Sequence, residues 1–228
     1  VFAERMLGDG IQIDPTEGLL IAPAAGVVEA IHASRHALTL ATDAGPVLLL
    51  HVGLETVALG GRGFKPLVQA GARVGVGQGL LRFDLDRLAL HAKSLQTPIV
   101  VTNGERFRMV SRREGLLAAG DLLMELEPVA AANASAAPLA GPAAETTLAL
   151  PLAHGLHARP AARIAAEAAR FQAEMTIGAA GGAAVSARSP VAMLALGLDH
   201  GAQLHLQAQG PDAQAALDAV TALIASGM

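Results

Sequence analysis

A histidine and an arginine stand two residues apart, just before a proline, in the stretch GLHARPAA at residues 155–162. Pro160 suits the first turn of a helix, where its missing N–H is not needed, so the pattern predicts a helix that begins close to His157. The N–H groups and positive dipole end of such a helix favour an anion. Arg159 adds a cation that suits phosphate oxygens, and Gly155 allows close approach of the backbone. We interpret His157 as a neutral nucleophile that accepts a phosphoryl group; a polar helix cap beside an incidental arginine is the structural alternative.

A second pair of histidines, His36 and His51, flanks the hairpin signal TDAG at residues 42–45. A two-residue loop would place the two histidines directly opposite each other, with Cβ atoms about 4.5–5.5 Å apart. Burial and proximity disfavour double protonation, so at least one ring should be neutral and nucleophilic at neutral pH. Ser34 and Glu55 could orient the rings. From the residues alone, two structural histidines or two ligands of a zinc site remain alternatives, and no third ligand is apparent. The same register assigns four apolar residues to the faces of the two rings: Leu38, Leu40, Val47 and Leu49.

The composition excludes several classes of function. The chain has 228 residues, of which 52% are hydrophobic and 2% aromatic, with no Trp and no Tyr, and its net charge is −4. Base stacking and a broad basic surface for nucleic acid or anionic lipid are therefore not expected. The lack of cysteine excludes disulfides and thiolate sites. No apolar run is long enough for a bilayer and no signal peptide is recognisable, so we expect a cytoplasmic protein without direct membrane insertion.

The elements that must position these histidines belong to two segments of different texture. Residues 129–145 are rich in Ala and Pro and predict a linker. Residues 1–128 contain short apolar runs punctuated by Gly, Pro and Asp, which predict an all-β sandwich or barrel with one short helix near 84–92. Residues 146–228 alternate strand and helix patterns in the order βαββαβα, which predicts an α+β domain.

The segment 146–228 resembles HPr, the histidine phosphocarrier of the bacterial phosphoenolpyruvate-dependent sugar phosphotransferase system, in its GLHARPAA motif and its βαββαβα order. The resemblance implies an open-faced α+β sandwich in which His157 is phosphorylated and Arg159 steadies the phosphate. The stretch ARSPVAMLAL places Ser189 at the family's regulatory serine. The residues that follow are smaller than the family's usual Leu-Phe patch, and we favour a helix N-cap for Ser189. His154 stands where the family often has a small polar residue.

Residues 1–128 resemble the glucose-type IIA component of the same system, on the stretches VFAERMLGDG, APAAGVVEAI, RHALTL, LLLHVGLETV, GRGFK and FDLDRLALHAKSLQTPIVVTN. This resemblance implies an antiparallel β-sandwich in which His51 carries the phosphoryl group and His36 supports it. Ser34 and Glu55 stand where a Thr and an Asp are common, which keeps the hydrogen-bonding type. The family's usual first strand is missing ahead of VFAE, so the chain is expected to be a fragment of a longer multiphosphoryl transfer protein.

Together the two resemblances imply a relay. Enzyme I, which could lie on the same parent chain, would phosphorylate His157. The group would pass to His51 and then to the IIB domain of a sugar permease, with no cofactor and no metal. A linker of this length would hold the two carriers at an effective concentration of order millimolar. A phosphorylation-dependent regulatory binding module with a zinc site at His36 and His51 is the alternative, and the sugar stays open.

Overall fold

The computed structural model describes residues 9–104, 106–129 and 141–227, which divide into two compact units, one within residues 8–131 and the other within 132–228. Most of the expected linker, residues 130–140, lies outside the described residues. Its predicted end at residue 145 is wrong, because a strand already begins at Ala143. The first residues of that strand are small or charged and carry no apolar alternation, so no strand is predicted there.

The first unit is built from eleven strands and little helix within its described residues. The strands are β1 (Gly10–Ile13), β2 (Leu19–Ile21), β3 (Gly26–Ile31), β4 (Ala37–Thr42), β5 (Val47–His51), β6 (Phe64–Pro66), β7 (Arg73–Val74), β8 (Gly79–Phe83), β9 (Thr97–Val101), β10 (Phe107–Arg112) and β11 (Met124–Pro128). A 3₁₀ helix covers Thr56–Leu59, and the helix α1 covers Leu85–His91, where a short helix is predicted.

These strands form antiparallel sheets that enclose one apolar core. A six-stranded sheet has the order β1-β9-β5-β4-β3-β7, a three-stranded sheet has the order β2-β8-β6, and β10 pairs with β11. Leu40 and Leu50 of the large sheet share a buried cluster with Leu80 of the three-stranded sheet and Leu88 of α1, all fully buried. Burial of such side chains contributes about 1.5–3 kcal/mol each. The predicted antiparallel sandwich is therefore confirmed.

The second unit has the predicted order βαββαβα. Its elements are β12 (Ala143–Ala149), α2 (Ala158–Ala168), β13 (Glu174–Ala179), β14 (Ala184–Ser186), α3 (Pro190–Ala195), β15 (Gln203–Gln209) and α4 (Ala213–Ala225). The antiparallel sheet has the order β12-β15-β13-β14, and α4 packs against β12, β13 and β15 while α2 packs against α3 and α4.

One face of this second sheet is covered by helices. Along β15, Leu204, Leu206 and Ala208 are buried, whereas Gln203, Gln207 and Gln209, which alternate with them, are exposed. This alternation has the period of a strand with one covered face. The unit is therefore the expected open-faced sandwich. Every helix in the described parts of the chain is too short or too polar to cross a bilayer.

Candidate functional site

The hairpin that carries His51 differs by one residue from the prediction. Its loop spans residues 43–45, three residues rather than two, and Gly45 closes it at a φ of 103°. The extra loop residue shifts the register, so that Ala37 and not His36 lies opposite His51. A positive φ at the last loop position is typical of three-residue hairpins, and glycine adopts it without strain.

The shift also changes which side chains share a face. Leu38 and Leu40 point into the apolar core, and the residues on the face of His51 are Ala37, Thr39 and Leu49. All three are at most 5% exposed. The predicted placement of Leu38 and Leu40 beside the histidine rings is therefore wrong, but the surroundings of His51 are still closed to water.

His36 and His51 nevertheless lie together. Their ring centroids are 4.6 Å apart with an interplanar angle of 82°, and the two residues are 2% and 8% exposed. His36 precedes the first residue of β4 and follows Arg35, whose φ is 57°. Because His36 stands outside the paired strand, the alternation of the strand does not set the direction of its side chain, and its ring contacts that of His51 without being its cross-strand partner.

His51 has the properties of a neutral nucleophile. Its Nδ1 lies 2.8 Å from the carbonyl oxygen of Gly53, so Nδ1–H donates this bond and the lone pair stands on Nε2. Burial lowers the pKa of His51 to about 4, an effect that the bond to Gly53 opposes and the field of His32 reinforces. The ring is therefore uncharged at neutral pH, where an imidazolium could not attack phosphorus.

Ser34 joins this pair to a third histidine. Its Oγ lies 2.9 Å from Nδ1 of His36 and 2.8 Å from Nδ1 of His32. His32 is only 8% exposed, and its ring centroid is 4.7 Å from that of His36. Sequence reasoning missed this residue. The signal was the spacing of His32, Ser34 and His36, each two residues from the next.

Backbone strain is concentrated around the three histidines. Among the described residues other than glycine, Arg35 and Glu55 have a positive φ, at 57° and 61°. Such conformations cost about 1–3 kcal/mol and cluster at functional sites. Glu55 begins the 3₁₀ helix after β5 and is exposed, and its charge slightly raises the pKa of His51. That Glu55 orients the histidine rings stays a prediction.

A zinc site at His36 and His51 would need at least one more ligand. Within the described ranges, no group of three or more His, Asp or Glu side chains is arranged to hold a metal ion. His32 lies near both histidines, but the rings pack edge to face, and Nδ1 of His32 accepts a hydrogen bond from Ser34. The three rings are therefore not arranged around a common metal position.

His157 occupies the N-cap of α2 in the second unit. Its carbonyl oxygen accepts the first bond of the helix from Ala161 N–H at 3.1 Å, and the residue is half-buried. Arg159 and Pro160 belong to the first turn, with Arg159 exposed and Pro160 buried. The first-turn N–H groups therefore lie beside His157, and the exposed Arg159 follows two residues later in the same turn, which suits a dianionic phosphoryl group.

Gly155 makes possible the tight approach of the chain that precedes His157. It is buried with a φ of 66°, and Leu156 N–H donates to the carbonyl of Leu198 at 2.7 Å. A Cβ at Gly155 would overlap that carbonyl oxygen and lie 3.0 Å from Cα of Asp199. Only glycine therefore fits between this loop and residues 198–199.

We expect Gly155→Ala to destabilise the second unit more than Gly197→Ala does. Gly197 has a φ of 58° and open space where its Cβ would stand, so that change measures the conformational cost alone, about 1–2 kcal/mol. Gly155→Ala adds the overlap with the backbone. Urea unfolding followed by helical circular dichroism, to which α2, α3 and α4 contribute most, measures the difference. Equal losses in the two variants would contradict this packing role.

Two further residues of the second unit have definite positions. His154 is exposed, and its ring centroid is 6.4 Å from that of His157. Ser189 is the N-cap of α3, and its Oγ accepts from Ala192 N–H at 3.2 Å. The hydroxyl is therefore engaged in a helix cap, the structural role favoured from the sequence.

Two folds, each with a histidine in surroundings that suit a phosphoryl group, define a tandem histidine phosphocarrier. Residues 1–107 match the family described as phosphoenolpyruvate-dependent sugar phosphotransferase system, EIIA 1, and residues 144–226 match the PTS HPr component phosphorylation site. The chain belongs to this phosphotransferase system and joins a glucose-type IIA domain to an HPr domain.

Individual relatives agree with the IIA assignment. The glucose-specific EIIA component of Staphylococcus aureus (strain COL) is 45% identical over 106 residues, which are 46% of this chain and 64% of the relative. The N-acetylglucosamine-specific EIICBA component of Escherichia coli (strain K12) is 40% identical over 120 residues, 52% of this chain and 18% of the relative. The structure of glucose permease IIA from Mycoplasma capricolum matches with a TM-score of 0.51 and 34% identity, covering 54% of this chain and 80% of that one. The chain thus spans less than two thirds of the length of the curated relatives named here.

Proposed function

We propose that this chain is a two-step phosphoryl relay. His157 accepts a phosphoryl group from enzyme I and passes it to His51, from which it leaves to the IIB domain of a sugar permease. The observation that carries the proposal is the state of His51: a buried, neutral ring whose Nδ1–H is held by Gly53 and whose lone pair stands on Nε2. Membership of both domains in the phosphotransferase system supports the same conclusion.

The first step places the phosphoryl group at the start of α2. The N–P bond of the donor breaks as a bond from an imidazole nitrogen of His157 to phosphorus forms, and the donor imidazole leaves neutral. The dianion on His157 would then lie at the N-terminus of an 11-residue helix, beside Arg159. Helix N–H groups and a guanidinium both stabilise this charge, and no metal ion or cofactor is needed.

The second step moves the group from His157 to Nε2 of His51. The phosphoryl group is largely planar in the transition state, so catalysis consists of positioning and charge stabilisation. The bond that Nδ1–H of His51 donates to the Gly53 carbonyl fixes the attacking ring, and the neighbouring ring of His36 is placed to stabilise phosphoryl oxygens. Phe64, whose ring centroid is 6.4 Å from that of His36, and the buried face of His51 keep water from the phosphoramidate.

His36→Gln tests the division of labour between the two rings. We expect phosphate still to reach His51, because Gly53 and not His36 prepares its Nε2. Transfer onward to a IIB domain should fall by about 10²-fold, because the glutamine amide cannot take up the proton with which an imidazole stabilises a phosphoryl oxygen. Site mapping measures the first step, and loss of label to an added IIB domain measures the second.

His91→Gln is the matched control for this change. His91 is an exposed histidine of the same domain whose Nδ1 bonds to the carbonyl of Arg87 at 2.8 Å. It should behave as the unaltered chain in both steps. Onward transfer from the His36→Gln variant at the unaltered rate would contradict the role proposed for His36.

A further inference from the structure

The IIA site contains a continuous row of polar groups that is longer than the histidine pair. From His32, Nδ1 reaches Ser34 Oγ at 2.8 Å, Ser34 Oγ reaches Nδ1 of His36 at 2.9 Å, and the ring of His36 contacts that of His51. The three histidines are 8%, 2% and 8% exposed in this order. The bonds among Nδ1 of His32, Ser34 Oγ and Nδ1 of His36 have directions that follow from the backbone donor at the His32 end.

The backbone sets the direction of this row. The N–H of Ser34 donates to Nδ1 of His32 at 3.3 Å, so this nitrogen carries a lone pair and the proton of His32 stands on Nε2. The hydroxyl of Ser34 therefore donates to the same nitrogen. Having given its one proton to His32, Ser34 Oγ can only accept from His36, whose proton is thus on Nδ1 and whose lone pair is on Nε2.

This order creates a difficulty that His32 can resolve. A phosphoryl oxygen is an acceptor, and a lone pair on Nε2 of His36 repels it. To hold the phosphoryl group of His51, His36 must gain a proton at Nε2. Two protonated positions on His36 would put a cation on the most buried of the three rings, which is 2% exposed, against 8% for His32.

We infer that His32 is a third functional histidine of the IIA site, a positioning residue that acts through Ser34 on His36. In the resting site, it fixes the tautomer of His36. When His51 carries the phosphoryl group, one proton from solvent binds Nε2 of His36. The proton on Nδ1 of His36 then passes to Ser34 Oγ, and the hydroxyl proton of Ser34 passes to Nδ1 of His32. His36 becomes a neutral Nε2–H donor, and the single positive charge moves to His32.

The surroundings of His32 are consistent with this role. It is in electrostatic contact with the reacting histidine, since its field contributes to the low pKa of His51. Arg35, between Ser34 and His36, has the strained φ of 57°, and Arg35 N–H donates to the carbonyl of His32 at 2.7 Å. This closed turn holds both histidines within reach of the one hydroxyl, and the backbone cost indicates that the arrangement is specifically maintained.

Two substitutions distinguish the effect of the Nδ1 acceptor of His32 from the effect of its ring. His32→Phe keeps a planar ring of similar size and removes the acceptor, whereas His32→Asn places an amide oxygen near the position of Nδ1 and keeps it. In the full chain, ¹⁵N shifts of the histidine rings report the tautomer of His36. Incubation with phosphoenolpyruvate and enzyme I, followed by addition of a IIB domain, measures phosphorylation of His51 and its onward transfer.

We expect His32→Phe to accept phosphate on His51, to lose the fixed Nδ1–H tautomer of His36 and to slow onward transfer by about 10-fold, as removal of an orienting partner does. His32→Asn should recover the tautomer and most of the rate. Unchanged tautomer and rate in His32→Phe, or an equal loss in both variants, would overturn the inference, as would an Nε2–H tautomer of His36 in the unaltered chain.

The inference rests on the proposed function, but the two can fail separately. If the unaltered chain places no phosphate on His51, the relay is contradicted. The ¹⁵N shifts of the resting chain still decide whether His32 fixes the tautomer of His36, because that measurement needs no phosphoryl transfer.

Discussion

Replacing His51 with Ala is expected to leave the phosphoryl group on His157. The variant keeps the start of α2 and Arg159 intact, so enzyme I and phosphoenolpyruvate should load His157 as in the unaltered chain. In the proposed relay the group then has no acceptor on this chain, because the neutral Nε2 of His51 is the proposed nucleophile. We expect one phosphate per chain, at His157, and transfer to a IIB domain reduced by at least about 10³-fold, the scale of loss when a nucleophile is removed.

Intact mass and site mapping of acid-labile phosphate measure this outcome. His91→Ala is the control, since it removes an exposed histidine from the same domain without touching the site. A normal rate of transfer from the His51→Ala variant to the IIB domain would show that His157 supplies that partner directly, and would remove His51 from the relay.

Replacing His157 with Ala should prevent entry of phosphate into either domain. His51 is buried in its own domain, and in the relay it is loaded only from a phosphorylated HPr domain. Arg159→Ala should slow loading without abolishing it, because the helix N-terminus still stabilises the dianion. His154→Ala is the control for a histidine close to His157, with a ring centroid 6.4 Å away, that is not the nucleophile.

Mixing the two variants gives a stringent check of the same prediction. His51→Ala chains loaded at His157 should phosphorylate His51 of His157→Ala chains, at a rate that rises with concentration. Such rescue shows that the IIA domain of the His157→Ala variant is intact. Phosphate on His51 of His157→Ala chains incubated alone with enzyme I would contradict the proposed order of transfer.

The sequence predicts the second domain more fully than the first. Alternation in β15 and helical spacing in α2 and α4 are local signals, and Pro160 and Gly155 mark the turn that presents His157. These signals depend on neighbours in the chain, and they predict the element order and the N-cap position of His157. The beginning of β12 at Ala143 was not predicted, because its first residues carry no apolar pattern.

The site of the first domain was predicted for a partly wrong reason. The prediction brings His36 and His51 together through a two-residue loop. In the structure the loop has three residues and ends at Gly45, which shifts the register by one position. The rings meet because His36 lies in the turn before β4, and its direction follows from tertiary packing that no period in the sequence encodes. His32 was missed for the same reason, since its bonds to Ser34 arise in that turn.

The most direct test of the relay is the location of phosphate on the unaltered chain. Incubation with phosphoenolpyruvate and enzyme I, followed by intact mass and site mapping under conditions that preserve phosphohistidine, should find phosphate at His157 and at His51. The label at His51 should appear after that at His157. Phosphate at His157 alone would show that the IIA domain does not accept from its own HPr domain, and phosphate at neither histidine would contradict the account as a whole.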